Sequence, residues 1–334
     1  MMISLILCSY NGENRIFSTL EAISKLIPPK SVQVELIFVD SNSDTELSNM
    51  VKNHWENFKS PFNLITLRQN KSGKVAALQL GLNKSLGSYF VIVDDDNELE
   101  EDYLIQGFEY LIKNPKVGVL GGKGNLPNEE VYPDWFYSNS YYFACGAQSD
   151  HSGEVRPERN VVYGAGMWGR KEAYNRALEN GFKFHFDFHG SNQSVNNMTN
   201  GGEDSELCWA IRFQGYEIHY LDKLNFIHRI SKEKLNQSHL NLLLERTNKT
   251  TLLGFLYLKA QSLQVEKVKF FWLKELLYLI FNYFKNLEFK KDYFTKELNR
   301  NKFNFIYLVK NRYSYDELIN SILEFKIKSF KSIK

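Results

Sequence analysis

The chain has 334 residues and a formal net charge of +2, long enough to bury a large core in one large domain or two smaller ones. The near-neutral total conceals an asymmetry, since residues 1–258 carry 25 Lys+Arg against 31 Asp+Glu and residues 259–334 carry 16 against 8, so a mildly acidic body precedes a basic tail suited to an anionic surface. Cys8, Cys145 and Cys208 are dispersed and form no Cys-x-x-Cys pair, which argues against a disulfide framework or a zinc site and points to a reducing, cytoplasmic compartment.

Over the first 120 residues, apolar runs of four to six residues recur between Asn, Ser, Gly, Asp and Pro. Ile3–Cys8, Val34–Val39, Phe62–Leu67, Tyr89–Val93 and Val117–Gly121 are predicted as short buried strands. Between them lie helical periods: Ile16, Leu20 and Ile23 share one face, and Leu78, Leu82 and Leu86 recur at four-residue spacing. Such alternation predicts an α/β domain with a mostly parallel central sheet flanked by helices. Ligands then lie beyond the strand C-termini. Polar clusters stand at those ends, with Ser9-Tyr10-Asn11 after Cys8, Asp40-Ser41-Asn42 after Val39, and Asp94-Asp95-Asp96 after Val93.

From about 122 to 200 the texture changes to Gly, Asn, aromatic and short extended pieces, suited to loops that hold an acceptor. Asn160 to Gly169 is expected to form a strand and a turn, and Arg170 to Glu179 a helix. Glu203 to Phe213 is predicted as a second helix, followed by two short strands ending near Leu221 and His228. Helices are expected from Ser231 to the end.

Three carboxylates at the end of a buried strand raise one another's pKa unless a cation offsets them. Hard oxygen ligands suit Mg2+ or Mn2+, with water and diphosphate completing the shell. A solvated, helix-capping acidic loop is the plainer reading, and the strand-end position disfavours it.

Three stretches, S-L-I-L-C-S-Y-N-G-E-N, L-I-F-V-D-S-N-S-D-T, and S-G-K-V-A-A-L-Q-L-G-L leading into V-I-V-D-D-D, follow one another in the order and at about the spacing of a known family. On them the chain resembles glycosyltransferase family 2, inverting enzymes of the A-type glycosyltransferase fold that use nucleotide-sugar donors. The resemblance implies that Asp96 holds the metal, with Asp94 or Asp95 at the ribose or a metal-bound water. It implies further that Asp40 accepts the uracil N3–H, Tyr10 stacks on the base, and Ser9 or Glu13 positions the ribose. Lys74 then lies near the donor. In Asn-Gly201-Gly202-Glu203-Asp204, acidic residues in a first helical turn commonly just complement the helix dipole. The resemblance makes Asp204 the general base and Glu203 an orienting residue. It also makes His228 a second metal ligand and puts Trp168 and Arg170 in the wall around acceptor and sugar.

The Gln-x-x-Arg-Trp signature of processive synthases is absent from the sequence, so one sugar per binding event is expected. The match runs from residue 3 to about 230. The expected organisation is therefore a catalytic domain over 1–230 (nucleotide half 1–121, acceptor half 122–230) and a helical, basic, aromatic extension over 231–334. The expected partners are a nucleotide-diphospho-sugar, UDP-linked by family habit, and a saccharide or lipid-linked acceptor, in surface polysaccharide or glycolipid synthesis. Competing readings are a sugar nucleotidyltransferase and a non-catalytic nucleotide-sugar binder. A dehydrogenase reading of Gly164-Ala-Gly166-Met-Trp-Gly169 would need Asp187 to end a second strand, yet Asp187 sits in an aromatic run.

In the tail, Phe270 to Phe284 forms an apolar helical face bordered by lysines and broken by Lys274 and Glu275, too short to span a bilayer. It is expected either to pack or to lie peripherally on the anionic inner face of the plasma membrane. Nucleic acid is not expected, because no recognised motif accompanies the charge.

Overall fold

The computed structural model describes residues 1–59, 62–71, 73–129, 131–156, 160–185, 202–286, 308–309 and 312–333. Asp187 and Gly201, singled out above, lie outside the described residues.

The first four long strands are β1 (Met2–Ser9), β2 (Gln33–Asp40), β3 (Asn63–Arg68) and β4 (Tyr89–Asp94), alternating with α1 (Ile16–Ser24), α2 (Leu47–Trp55) and α3 (Lys74–Lys84). Their pairing is parallel throughout. There follow β5 (Asn97–Leu99), α4 (Tyr103–Lys113), β6 (Val117–Asn125), the short α5 (Asp134–Tyr137), β7 (Gly153–Glu154), β8 (Trp168–Arg170), α6 (Lys171–Glu179), α7 (Glu203–Phe213) and β9 (Glu217–His228). Among the described residues these strands make one sheet in the order β3-β2-β1-β4-β8-β6-β9-β5, with β7 against β9.

β1, β2 and β4 are buried on both faces because helices cover both. Leu5, Leu7, Leu36, Phe38, Val91 and Val93 join Ile16, Leu20, Ile23, Leu47, Val51 and Leu104 in one core, while Ile37 and Val39 meet Ala77 of α3 on the other side. Each fully buried Leu or Ile stabilises the fold by roughly 1.5–3 kcal/mol relative to exposure. The chain leaves β1 towards β2 and β3 on one side and returns to β4 on the other. The crevice at the C-terminal ends of β1 and β4 is therefore a topological switch point, the usual ligand position in such sheets.

Three expectations are corrected. Leu86 lies beyond the end of α3 and is 76% exposed, whereas Leu78 and Leu82 are buried as their spacing predicts. Asn160 to Met167 is irregular, and only Trp168–Arg170 is strand. The two short strands expected near 217–228 are one twelve-residue strand, β9, pairing parallel with β6 through two register irregularities; the polar stretch Asp222-Lys223 marks where the pairing shifts.

The described residues fall into two compact units, one running to Thr247 and the other from Asn248 onward. The segment just after β9 belongs to the first: Ile230 and Leu240 are buried with Tyr132, Phe136, Phe143 and Cys145. The second unit takes the later part of α8 (Gln237–Ser262), α9 (Phe271–Asn286) and α10 (Arg312–Ile333). In it Phe271 stacks on Tyr315 at 6.1 Å, and the Trp272 N–H donates to Asp316 at 2.9 Å.

Candidate functional site

The turns that follow β1 and β2 are stitched together before any ligand arrives. Asn11 and Asn42 both take left-handed backbone (φ 46° and 62°), a conformation Asn tolerates better than other residues with a Cβ. The Asn11 side chain donates to Asp44 at 2.7 Å and accepts the Asp44 N–H at 2.9 Å, and the Asn11 N–H donates to Ser43 Oγ at 3.0 Å. Asp40, fully buried, accepts the Ser43 N–H at 2.8 Å on one oxygen and pairs with Arg68 at 2.6 Å on the other. Sheet register sets that pair, since Asp40 and Arg68 are neighbours at the ends of β2 and β3. A carboxylate has about four lone-pair directions, so capacity remains for a further donor. Tyr10 follows β1 with 52% of its surface exposed. Glu13 pairs with Thr45.

Each carboxylate of Asp94-Asp95-Asp96 has its own cationic partner within the protein. Asp94 meets Lys74 at 2.8 Å, and Lys74 also reaches Glu203 at 3.0 Å. Asp95 pairs with Arg15 at 2.7 Å and accepts the Ser9 hydroxyl. Asp96 stands 3.3 Å from His228 Nε2 through Oδ1 and 3.0 Å from Lys234 Nζ through Oδ2. Burial pushes Asp95 up, offset in part by Arg15. Burial also acts on Asp96, but His228 and Lys234 outweigh it and hold that carboxyl well below the usual range. His228 responds in kind: burial opposes its charge, yet Asp96 carries the imidazolium up to about 10. Register again explains the proximity, because His228 at the end of β9 pairs with Asn97 at the start of β5. Behind it, His228 Nδ1 faces Cys145 Sγ at 3.9 Å.

Lys74 joins the acidic strand end to the start of α7. Burial disfavours its ammonium, but Asp94 and Glu203 more than compensate and hold its pKa well above the usual lysine value. Gly202 caps α7 with φ 99°, a backbone region that glycine reaches without a Cβ penalty. Glu203 is buried, and its Oε2 has no hydrogen-bond partner among the described residues. Asp204 accepts the Gly164 N–H at 2.9 Å and the Ser205 N–H at 2.7 Å. Burial first, then Glu203, push its carboxyl up to about 6, against the pull of Lys74 and the two N–H donors. A half-buried carboxylate poised in that range is suited to taking a proton near neutrality.

Asp96, together with His228 once its Nε2 has given up its proton, would fit part of a divalent-cation shell. Their 3.3 Å separation is close to the spacing of about 3 Å between adjacent ligands on an ion bonded at about 2.1 Å. Among the described residues no group of three or more His, Cys, Asp or Glu side chains is arranged to hold a metal, so the other positions would fall to water and donor oxygens.

Two expected residues are not brought to the site. Trp168 is fully buried in the main core, pairs with Val91 in the sheet and offers no face to a ligand. Arg170 pairs with Tyr89 at the opposite end of β4 from Asp94, where its guanidinium donates to the carbonyls of Val117 (2.6 Å), Leu111 (2.6 Å) and Asn114 (3.1 Å). Trp168 thus packs in the core and Arg170 caps main-chain carbonyls at the Tyr89 end of β4. Conversely, Arg15, Arg68 and Lys234 went unremarked in the sequence. Arg68 alone left a signal there, as the last residue of a predicted strand's extension beside the strand that ends in Asp40.

Comparison with known proteins bears on the family and the fold. A family model described as Glycosyl transferase family 2 matches residues 4–178. Among curated proteins, poly-beta-1,6-N-acetyl-D-glucosamine synthases of Staphylococcus epidermidis and Staphylococcus aureus (strain MSSA476) are 27% and 26% identical over 130 residues, 38% of this chain. The match spans 29% of the length of those synthases. Among solved structures, S. aureus TarS 1-349 in complex with UDP-GlcNAc superposes with a TM-score of 0.54 at 14% identity, over 99% of this chain and 91% of that one. The mannosyltransferase PcManGT from Pyrobaculum calidifontis in complex with GDP-Man and Mn2+ gives 0.51 at 16% identity, over 99% and 88%. At such identities the likeness is one of fold.

Proposed function

The chain belongs to glycosyl transferase family 2, and from that premise we propose that it moves a sugar from a UDP-linked donor to an acceptor hydroxyl, with inversion and one sugar per binding event. The setting we propose is surface polysaccharide or glycolipid synthesis at the cytoplasmic side of the membrane. The observation that carries this reading is Lys74, in contact with both Asp94 and Glu203. It ties a donor-side strand end and the Glu-Asp helix start into one site at the sheet's switch point.

In this mechanism Asp40 accepts the uracil N3–H and Tyr10 stacks on the base, with Ser9 and Glu13 on the ribose side. Asp204 takes the proton of the acceptor hydroxyl, and Glu203, through an Oε2 with no partner among the described residues, orients that acceptor. The hydroxyl oxygen bonds to the anomeric carbon as the bond to the diphosphate breaks, and the electron pair leaves on the diphosphate. Lys74 offsets the charge there. A Mn2+ or Mg2+ held by Asp96 and His228 would supply Lewis-acid stabilisation of the departing diphosphate. The likeness of fold to complexes with UDP-GlcNAc and with GDP-Man and Mn2+ supports the donor class. The named synthases support the polysaccharide setting.

The tail extends the proposal. Phe270, Leu273, Leu277 and Phe281 are exposed and recur at helical spacing along α9 and its approach, and Lys267, Lys269 and Lys274 are exposed beside them. Such a stripe favours peripheral contact with an anionic membrane that carries the acceptor. No helix among the described residues is long and apolar enough to cross a bilayer.

Calorimetric titration with UDP, GDP and dTDP, with and without Mn2+, tests the donor site. Metal-dependent binding of UDP over the other two is expected; binding of none of them in the presence of Mn2+ would refute the proposal.

A further inference from the structure

Asp96 is the proposed anchor for the divalent cation, yet one of its two oxygens is already taken by a cation the chain supplies. Lys234 Nζ lies 3.0 Å from Oδ2, while His228 Nε2 holds the Oδ1 side. The lysine is not a loose surface group. It closes the single-turn helix Lys232–Lys234 between β9 and α8, where its N–H donates to the Ser231 carbonyl at 2.9 Å. The flanks of that turn are fixed by Ile230 and Leu240, both buried in the cluster with Phe136, Phe143 and Cys145, and by Leu235 packed against it. The Lys234 side chain itself keeps 39% exposure, and the carboxylate beneath it 8%.

A lysine ammonium and a divalent cation cannot share one small carboxylate without mutual repulsion. Whichever is bound weakens the other. A nucleoside diphosphate changes the balance, because its phosphate oxygens offer the ammonium a second anionic partner at the same place.

We infer that Lys234 is a diphosphate-binding residue that guards the metal position: without nucleotide its ammonium neutralises Asp96, and with nucleotide it moves to the diphosphate and leaves Asp96 to the cation. The inference rests on the donor-site reading given above. Its consequence is positive coupling between metal and nucleotide, each raising the affinity of the other by the same factor. The cation binds weakly alone and firmly only together with a donor.

The test uses the full-length Lys234→Gln variant, with Mn2+ binding followed by the electron paramagnetic resonance of the free ion and UDP binding by calorimetry. Without nucleotide, the variant should bind Mn2+ several-fold more tightly than wild type. At saturating Mn2+ it should bind UDP about tenfold more weakly, the scale of one lost charge-assisted hydrogen bond. Lys234→Arg should keep weak Mn2+ binding in the absence of nucleotide. Lys232→Gln, on the same turn and exposed, should match wild type in both titrations, and melting curves confirm that each variant is folded. Unchanged Mn2+ affinity or unchanged UDP affinity in folded Lys234→Gln would overturn the inference. A wild-type protein that binds no UDP at all would instead refute the donor site itself.

Discussion

Asp204 is held by two backbone N–H groups, from Gly164 and Ser205, and still titrates at about 6, because burial and the adjacent Glu203 outweigh them. A base must be unprotonated to act. Turnover measured against pH should therefore fall as pH drops through about 6 and level off above it, with Lys74 holding its charge throughout. An acid limb at the ordinary aspartate value near 4 would disprove this assignment. Asp204→Asn should reduce turnover by two or more orders of magnitude, roughly the contribution of a positioned general base, while UDP affinity stays close to wild type. Equal loss of both would place Asp204 in the donor site instead. Around Asp96 the residue scale explains what the sequence left open. Three adjacent carboxylates announced that a cation was needed, but not that lysine and arginine side chains from positions 15, 74 and 234 would supply one each. Arg15 and Lys234 are remote in sequence and leave no local pattern, whereas Lys74 stands in the S-G-K-V-A-A-L stretch that already pointed to it.

At the scale of elements, the apolar runs of β1 to β4 and β6 gave away the parallel core, and Glu203–Phe213 matched its helical prediction residue for residue. Periodicity failed where an element's role depends on its neighbours. Leu86 fits the four-residue rhythm but falls after Ser85 has left the helix, and β9 looked like two strands because Asp222 and Lys223 interrupt its apolar run. Trp168 and Arg170 were misplaced for the same reason: the sequence hides that β8 inserts antiparallel between β4 and β6, which turns the tryptophan inward. A Cβ added at Gly107 would come within 2.3 Å of the Trp168 ring, so helix α4 approaches that strand only because position 107 has no side chain. Gly107→Ala should cost about 1–3 kcal/mol of stability through overpacking, and Trp168→Ala about 3–5 kcal/mol through the lost burial and the cavity. Both should leave UDP affinity unchanged below their melting temperatures. A Trp168→Ala protein of normal melting temperature but weakened donor or acceptor binding would restore the tryptophan to the site wall.

For the whole molecule, the basic stretch 259–334 lies within the later structural unit, which begins at Asn248. The acidic body contains the site, and the later unit carries exposed Phe270, Leu277 and Phe281 with exposed lysines near them. Full-length protein should co-sediment with vesicles rich in anionic lipid at low salt and release as salt rises, since the attraction is screened within about 10 Å at 0.1 M. Replacing Phe270 and Phe281 with Ser should abolish that sedimentation and leave UDP binding intact. Indifference of the wild-type protein to anionic vesicles would remove the membrane from the proposal.

The pairing of Asn97 with His228 has a bearing on how the protein is made. A ribosome that has delivered the chain as far as Leu99 has already produced Asp40 and all three acidic residues of the donor crevice. Asp204, His228 and Lys234 are still more than a hundred residues from being translated. The emerging chain thus holds a cluster of negative charge whose counter-charge from His228 and Lys234 arrives late, with His228 on a strand that settles between β6 and β5. On the roles proposed above, catalytic competence is a late event in synthesis, because a nascent fragment that stops short of β9 lacks His228.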